Sequence, residues 1–397
     1  MLGERSEHMD PVRIGIIGLG NMGTGHARDC ADSELLEPAC LCDRNPEKRE
    51  KFSAEYGVPV YEDAETMMAQ SEPEAVLVAT PHYDHTPISI AALERGIHVL
   101  CEKPVGVHVK DVHKMIQAYE DARGKYPNIQ FGAMFQQRTH QSWKRIRAMI
   151  RGGELGRLVR ASWIITSWFR TQHYYDTGSW RATWAGEGGG VLLNQCPHNL
   201  DLYQWFFGMP KTVLGTAAIG KYHQIEVEDE VTAIFEHENG MIGHFITTTA
   251  ESPGTNRLEI VGEMGRLVFD DGRLIFDRNS ESMLDYSNNT EASFGKVEST
   301  RQEIELPKES GGKHREVTET FARAIRGEES LVARATEGLG SVMLANAVLM
   351  SHFRNQRVEL PVDGEAYELL LHELIKSSTF EKPEPASSSA ENLKGSF

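Results

Sequence analysis

A doubly wound parallel α/β sheet, followed by an α+β domain with a large, open, mostly antiparallel sheet, is the fold class this sequence predicts. Three observations carry it. Apolar strand-like runs alternate with helix-period segments over the first third of the chain. The first run, Val12-Arg13-Ile14-Gly15-Ile16-Ile17, empties into Gly18-Leu19-Gly20-Asn21-Met22-Gly23 and then into a helix. From about residue 134 the pattern becomes long alternating strands, separated by turn signals such as Glu238-Asn239-Gly240 and Asp270-Asp271-Gly272.

The first domain is expected over residues 11–133, with strands near 12–17, 36–42, 58–61, 75–79, 97–101 and 129–133. Helices at 22–31, 45–55, 63–70, 86–95 and 108–123 fall between them. The second domain, 134–377, begins with a helix at 141–151. Strands follow at 157–169, 212–220, 229–236, 241–249, 256–262, 265–270, 273–277 and 301–306, then helices at 313–326, 335–355 and 364–377. Residues 1–10 read as a loose tail, and 378–397, rich in Pro, Ser and Glu, as disordered. Val213, Thr232, Ile234, Phe245 and Thr247 are expected on the open face of the second sheet, where a homo-oligomer, a dimer or tetramer, would cover them.

The 397 residues carry a formal net charge of −17, which argues against nucleic-acid or anionic-membrane partners. No apolar run reaches the length of a membrane span, and the first ten residues lack an apolar signal core. The five cysteines show no paired spacing and read as small packed hydrophobes, so a cytoplasmic protein is expected. His82 and His85, in a loop around Asp84, do not complete a metal set, and no metal is expected.

In the glycine loop, Gly18 permits a tight turn, Gly20 lets the main chain approach a pyrophosphate, and Gly23 lets helix and strand pack closely. The helix N-terminus, with Asn21 and Met22, presents unpaired N–H groups to phosphates. Asp43, 20 positions beyond Gly23, is placed to accept bonds from adenosine ribose hydroxyls. Strand, loop, helix and carboxylate together point to a dinucleotide, whereas the glycines alone would fit an ordinary turn. Asp43 favours NAD(H), since it repels a 2′-phosphate, while Arg44 beside it keeps NADP(H) open.

Ligands on such sheets bind beyond the carboxyl ends of the strands. Two more strand ends therefore matter: Thr80–Thr86, with Pro81 and His85, and Glu102-Lys103-Pro104. A solvated surface lysine is the commoner reading, but Lys103 ends a buried strand where substrate and nicotinamide would meet. A second cluster runs from Gly188-Gly189-Gly190 through Asn194 and His198 to Asp201. The glycines would let the main chain pass close to a ligand, with Asn194 and His198 on one helical face. A histidine is the natural acceptor of a hydroxyl proton. Upstream lie Trp163, Trp168, Phe169, Arg170, His173, Tyr174, Tyr175, Trp180, Arg181 and Trp184, aromatics suited to sugar faces with donors for hydroxyls, or to a core.

Taken together, these motifs resemble the glucose–fructose oxidoreductase, inositol dehydrogenase and rhizopine-catabolism (Gfo/Idh/MocA) oxidoreductases. The resemblance spans residues 11 to 377 and rests on the glycine loop, Ala79-Thr80-Pro81 with His85, Glu102-Lys103-Pro104, and Gly188 through His198 and Asp201. It implies a Rossmann domain, an α+β domain with an open sheet, and NAD(P)-dependent redox chemistry on sugars, inositols or related hydroxy compounds. It implies that Lys103 and His198 line the reacting centre and that the Lys103–Pro104 bond is cis. The expected cofactor contacts are Gly18, Gly20, Asn21, Met22, Gly23, Asp43, Arg44, Thr80, Pro81, His85, Glu102 and Lys103. The expected substrate contacts are Asn194, Arg170, Tyr175, Trp180, Arg181 and Trp184. Asn194 stands where the family often has aspartate, so it is read as positioning substrate rather than relaying protons. The aromatic segment resembles members that oxidise a ring hydroxyl of glucose or glycosides at C3, and its arginines leave a uronate open. The rival readings are an NAD-bound glycosidase-like enzyme using transient redox and a catalytically inert nucleotide sensor.

Overall fold

The computed structural model describes residues 10–178, 180–307 and 311–382; of the expected tails at 1–10 and 378–397, residues 1–9 and 383–397 lie outside the described residues. The chain forms two units. One holds the residues up to Val105, Asp111–Thr139 and Gly312–Gly338; the other holds Gly106–Lys110, His140–Gly311 and the residues from Leu339.

The first unit is built in chain order from β1 (Val12–Ile17), α1 (Asn21–Ala31), β2 (Leu36–Cys42), α2 (Pro46–Tyr56), β3 (Val60–Tyr61), α3 (Ala64–Ser71), β4 (Ala75–Val78), α4 (His82–Glu94), β5 (His98–Cys101), α5 (Val109–Lys125) and β6 (Phe131–Ala133). The six strands are parallel in the order β3-β2-β1-β4-β5-β6. All four residues of β4 are buried, as strands covered on both faces require. α4 begins at His82, four residues before the expected start, because Pro81 takes the N-cap and Pro87 is absorbed inside the helix. His82 and His85 are therefore helical rather than in a loop.

The second unit adds α6 (Gln141–Arg151), β7 (Leu158–Ile165), α7 (Gln172–Asp176), α8 (Pro197–Phe207), β8 (Thr212–Ile219), β9 (Glu228–Glu236), β10 (Ile242–Thr248), β11 (Asn256–Gly262), β12 (Gly265–Asp270), β13 (Arg273–Asn279), α9 (Met283–Asn289) and β14 (Ser299–Ile304). After α10 (His314–Ile325) come α11 (Gly338–Arg354), β15 (Val358–Glu359) and α12 (Gly364–Ser377). Nine strands run β14-β13-β12-β11-β7-β10-β9-β8-β15, antiparallel except for the β7–β10 pair. On the inner face, Trp143 of α6 packs on Trp163 and Phe269, with ring centroids 5.5 and 4.6 Å apart. Gly243 leaves space there for the Tyr203 ring of α8, whose hydroxyl lies 2.9 Å from His237 Nε2.

The open-face residues named from sequence mix two faces. Val213, Phe245 and Thr247 point inward and are buried, whereas Thr232 and Ile234 do face outward. Leu214 pairs with Ile234, and Ile246 lies between Thr232 and Ile164, so the outer face has its own apolar stripe. Strand alternation fixes which residues share a face, but the register between strands is set only by pairing.

α10 belongs to the first unit, although sequence order places it inside the expected second domain. Its Val317, Phe321 and Ala322 join the core formed by Val12, Ile14, Leu36 and Phe52. Ser33 donates to Glu319 at 3.1 Å, and Arg326 pairs with Glu74 at 2.7 Å. Fully burying a side chain such as Phe321 stabilises by roughly 1.5–3 kcal/mol, one of several burials on this face that together offset the entropy of bringing the chain back.

Candidate functional site

The glycine loop lies between β1 and α1, and the sheet order reverses at the neighbouring β1–β4 pair. That is the switch point at which open α/β sheets bind ligands. Gly18 sits at φ +91°, and a Cβ there would meet the Ala79 carbonyl oxygen at 2.7 Å. A Cβ on Gly23 would fall 1.7 Å from the Gly18 carbonyl oxygen. Gly20, the N-cap of α1, has no heavy atom within 4 Å of its Cβ position. Two glycines thus lock the turn against the protein, and the third faces empty space at a helix N-terminus. This arrangement fits a pyrophosphate. Asn21 and Met22 open the helix there, and the Thr80 hydroxyl oxygen, after β4, is buried without a hydrogen-bond partner.

Asp43 does more than its position in sequence suggested. Its carboxylate accepts from the Leu19 N–H and the Asn45 N–H, both at 2.8 Å, and so fastens the glycine loop to the end of β2. Each oxygen keeps lone-pair capacity for a ribose hydroxyl. Arg44 is exposed, 3.6 Å from Asp84. Pro81 caps α4.

Two expected cofactor contacts are turned inward instead. His85 is buried, with its ring nitrogens 2.8 Å from the Pro104 carbonyl oxygen and 2.9 Å from that of Thr80. Burial holds its pKa below the ordinary histidine value, although both carbonyls, Glu102 and Asp84 favour the charged form. It braces the loop after β4 against the loop after β5. Glu102 is also buried, its carboxylate bonded to His26 and to the Lys103 N–H. Lys103 follows β5, joined to Pro104 by a cis peptide bond.

In the second unit, Asn194 and His198 do not share a helical face. α8 begins at Pro197, so His198 lies in its first turn, while Asn194 belongs to the preceding turn, its N–H bonded to the Gly190 carbonyl oxygen at 2.9 Å. The proline favours the first helical position, which sets that boundary. The glycine run also serves the protein itself, since a Cβ on Gly190 would fall 2.1 Å from the Glu228 carbonyl oxygen of β9.

Arg181 donates to the Tyr174 hydroxyl at 2.9 Å and stacks over the Tyr174 and Trp180 rings at 4.7 and 4.4 Å. Gln195 donates to the same hydroxyl at 3.2 Å, and Arg170 lies 5.1 Å over the same ring. Tyr174 is therefore the hub of the segment. Tyr175 and Trp184 are buried: the Tyr175 hydroxyl donates to Thr249 at 2.8 Å, and Trp184 packs 5.8 Å from Phe353. Trp168 Nε1, Arg170 Nε and Gln195 Oε1 are buried without a hydrogen-bond partner.

Sequence reasoning missed Glu187 and Glu228. Glu187 is buried, accepts from Asn194 and from the Ala182 N–H at 2.7 Å, and lies 3.9 Å from Arg181. Burial raises its pKa, against Arg181, these hydrogen bonds and Lys382. Glu228 accepts the Leu192 N–H at 3.0 Å, while its Oε2 is buried with no hydrogen-bond partner. Burial first, then the charge of Glu187, push it up to about 7 against backbone donors. An acidic residue within Gly186-Glu187-Gly188 was the one available signal. Asp229 gathers the N–H groups of Lys221, Tyr222 and His223, and His223 in turn reaches the Arg170 carbonyl oxygen at 2.9 Å.

Residues 12–127 match the family model described as "Oxidoreductase family, NAD-binding Rossmann fold", and residues 143–268 match "GFO/IDH/MocA C-terminal domain". The chain is 31% identical to the rhizopine catabolism protein MocA of Rhizobium meliloti, over 51% of this chain and 60% of that protein. It is 25% identical to the D-glucoside 3-dehydrogenase of Escherichia coli, over 88% of this chain and 98% of that one. The fold matches the WlbA dehydrogenase of Bordetella pertussis, solved with NADH and UDP-GlcNAcA, at a TM-score of 0.74. That match has 24% identity and covers 89% of this chain and 100% of the other.

Proposed function

The chain belongs to the Gfo/Idh/MocA oxidoreductase family, and on that premise we propose that it is an NAD(H)-linked dehydrogenase of a ring hydroxyl on a sugar, inositol or glycoside. The observation that carries this reading is the open glycine cradle at the switch point, with Lys103 at the end of β5 on the same sheet. Gly18, Gly20, Asn21, Met22, Gly23, Asp43 and Thr80 would hold the cofactor. When bound, the nicotinamide supplies or accepts the hydride. His198 takes or returns the hydroxyl proton, and Lys103 donates to the same oxygen and stabilises its developing negative charge. Asn194, oriented by Glu187, positions the substrate, with Arg170, Trp180 and Arg181 beside it. Tyr175 and Trp184 support that segment from behind.

Relatives named rhizopine catabolism protein, myo-inositol 2-dehydrogenase and D-glucoside 3-dehydrogenase support the substrate class, the last favouring C3 of a glucoside. The five buried free cysteines suit the cytoplasm, and the outer stripe of the nine-stranded sheet suits a homo-oligomer. A screen of myo-inositol, methyl glucosides and glucuronides with NAD and NADP, followed at the nicotinamide absorbance, tests the reading. Reduction of NAD by at least one polyol is expected. A protein that binds NADH yet reduces NAD with none of these polyols would overturn the reading in favour of a nucleotide sensor.

A further inference from the structure

Glu102 is 4% exposed. Carboxylates are rarely buried so deeply unless they are paired. Its Oε1 lies 2.7 Å from His26 Nε2 on α1, and its Oε2 accepts the Lys103 N–H at 3.0 Å. His314, at the start of α10, sets its ring edge-on to His26 with centroids 5.4 Å apart. The first helix after the glycine loop, the end of β5 and the returning helix thus converge on one carboxylate, all within one unit. The chemistry assigned above uses neither His26 nor His314.

We propose that His26 and Glu102 are a positioning couple for Lys103: the imidazole fixes the carboxylate, and the carboxylate holds the Lys103 main chain and keeps its ammonium charged. The proposal rests on the reading of Lys103 given above. Burial alone would raise the Glu102 pKa, but the His26 hydrogen bond and the charges of His26, His314 and Lys103 outweigh it and hold it at about 2. Glu102 is therefore ionised across the neutral range, and a nearby anion favours the charged form of a lysine. The other groups facing the cluster do not displace it. Burial lowers His314, with Glu102 and Asp29 opposing and His26 and Lys103 reinforcing. His85 is lowered by burial, and burial and Glu102 raise the Cys101 thiol. Without the His26 donor, the carboxylate loses its main partner, burial pulls it toward the neutral form with less opposition, and its counter-charge to Lys103 weakens.

Competitive acetylation of the full-length protein with acetic anhydride, read by peptide mass spectrometry across pH, follows the Lys103 amine without turnover. The Lys103 midpoint should fall by about one unit or more in Glu102→Gln and His26→Phe, the size of shift an adjacent opposite charge produces. It should stay near wild type in His26→Gln, whose amide N–H replaces the imidazole donor, while other lysines serve as internal references. If His26→Phe does not fold, Glu102→Gln decides alone, because it is isosteric and keeps an acceptor for the Lys103 N–H. An unmoved midpoint in Glu102→Gln overturns the couple even if the protein is an active dehydrogenase. A moved midpoint in a protein inert to every polyol sustains the couple and sinks only the dehydrogenase reading.

Discussion

In the proposed mechanism, Lys103 is the residue on which the chemistry would turn. Lys103→Met keeps the length and apolar stem but removes the donor, so turnover should fall about 10²-fold to 10³-fold or more, as for other lost oxyanion donors. NADH affinity, measured by fluorescence titration, should hardly change; near-normal turnover would remove Lys103 from the mechanism. Glu228 makes a different prediction. Its folded pKa, about 7, lies above the unfolded value of about 4.3. Between those values the native state binds more protons, so this group costs stability as pH rises through that window, and the cost is constant above it. Glu228→Gln should remove that part of the slope in a plot of Tm against pH. Identical slopes in both proteins would show that Glu228 does not titrate there. The place of Lys103 just beyond a buried strand was legible in the sequence, because the apolar run stops two residues before it. Glu187 and Glu228 were not, because their burial and their hydrogen-bond partners exist only once the chain has folded.

At the scale of elements, the glycine loop separates two uses of one residue type. Gly20→Ala meets no neighbouring atom, so Tm should stay within about 1 °C while NADH binding weakens about tenfold or more. Gly23→Ala forces a Cβ to within 1.7 Å of the Gly18 carbonyl oxygen, so it should lower Tm and weaken binding together. If Gly20→Ala bound NADH normally, the cradle would have been assigned to the wrong turn. The strands and most helices could be read from periodicity and turn residues. The starts of α4 and α8 could not, because each depends on a proline that breaks helices in general but caps or opens these two.

Across the whole molecule, the outer face of the nine-stranded sheet is where the proposed assembly is tested. Leu214 is 40% exposed and pairs with Ile234, beside Thr232, Ile246 and Ile164. Light scattering at micromolar protein should show a homo-oligomer, and Leu214→Lys with Ile234→Glu should dissociate it with the secondary structure retained. A wild-type monomer would leave the stripe without an oligomeric role. Contiguous domains were the natural reading, since sequence order is all that hydrophobic pattern reveals. The return of α10 depends on Val317 and Phe321 fitting a groove formed some 280 residues earlier.

That return has a practical consequence for anyone dissecting the chain. A nucleotide-binding fragment ended at Thr139 would lack the helix that closes its own hydrophobic interior and would leave Ile14, Leu36 and Phe52 partly bare. The second unit both interrupts the first and follows it, so a minimal nucleotide-binding module has to be stitched from two distant stretches of the gene.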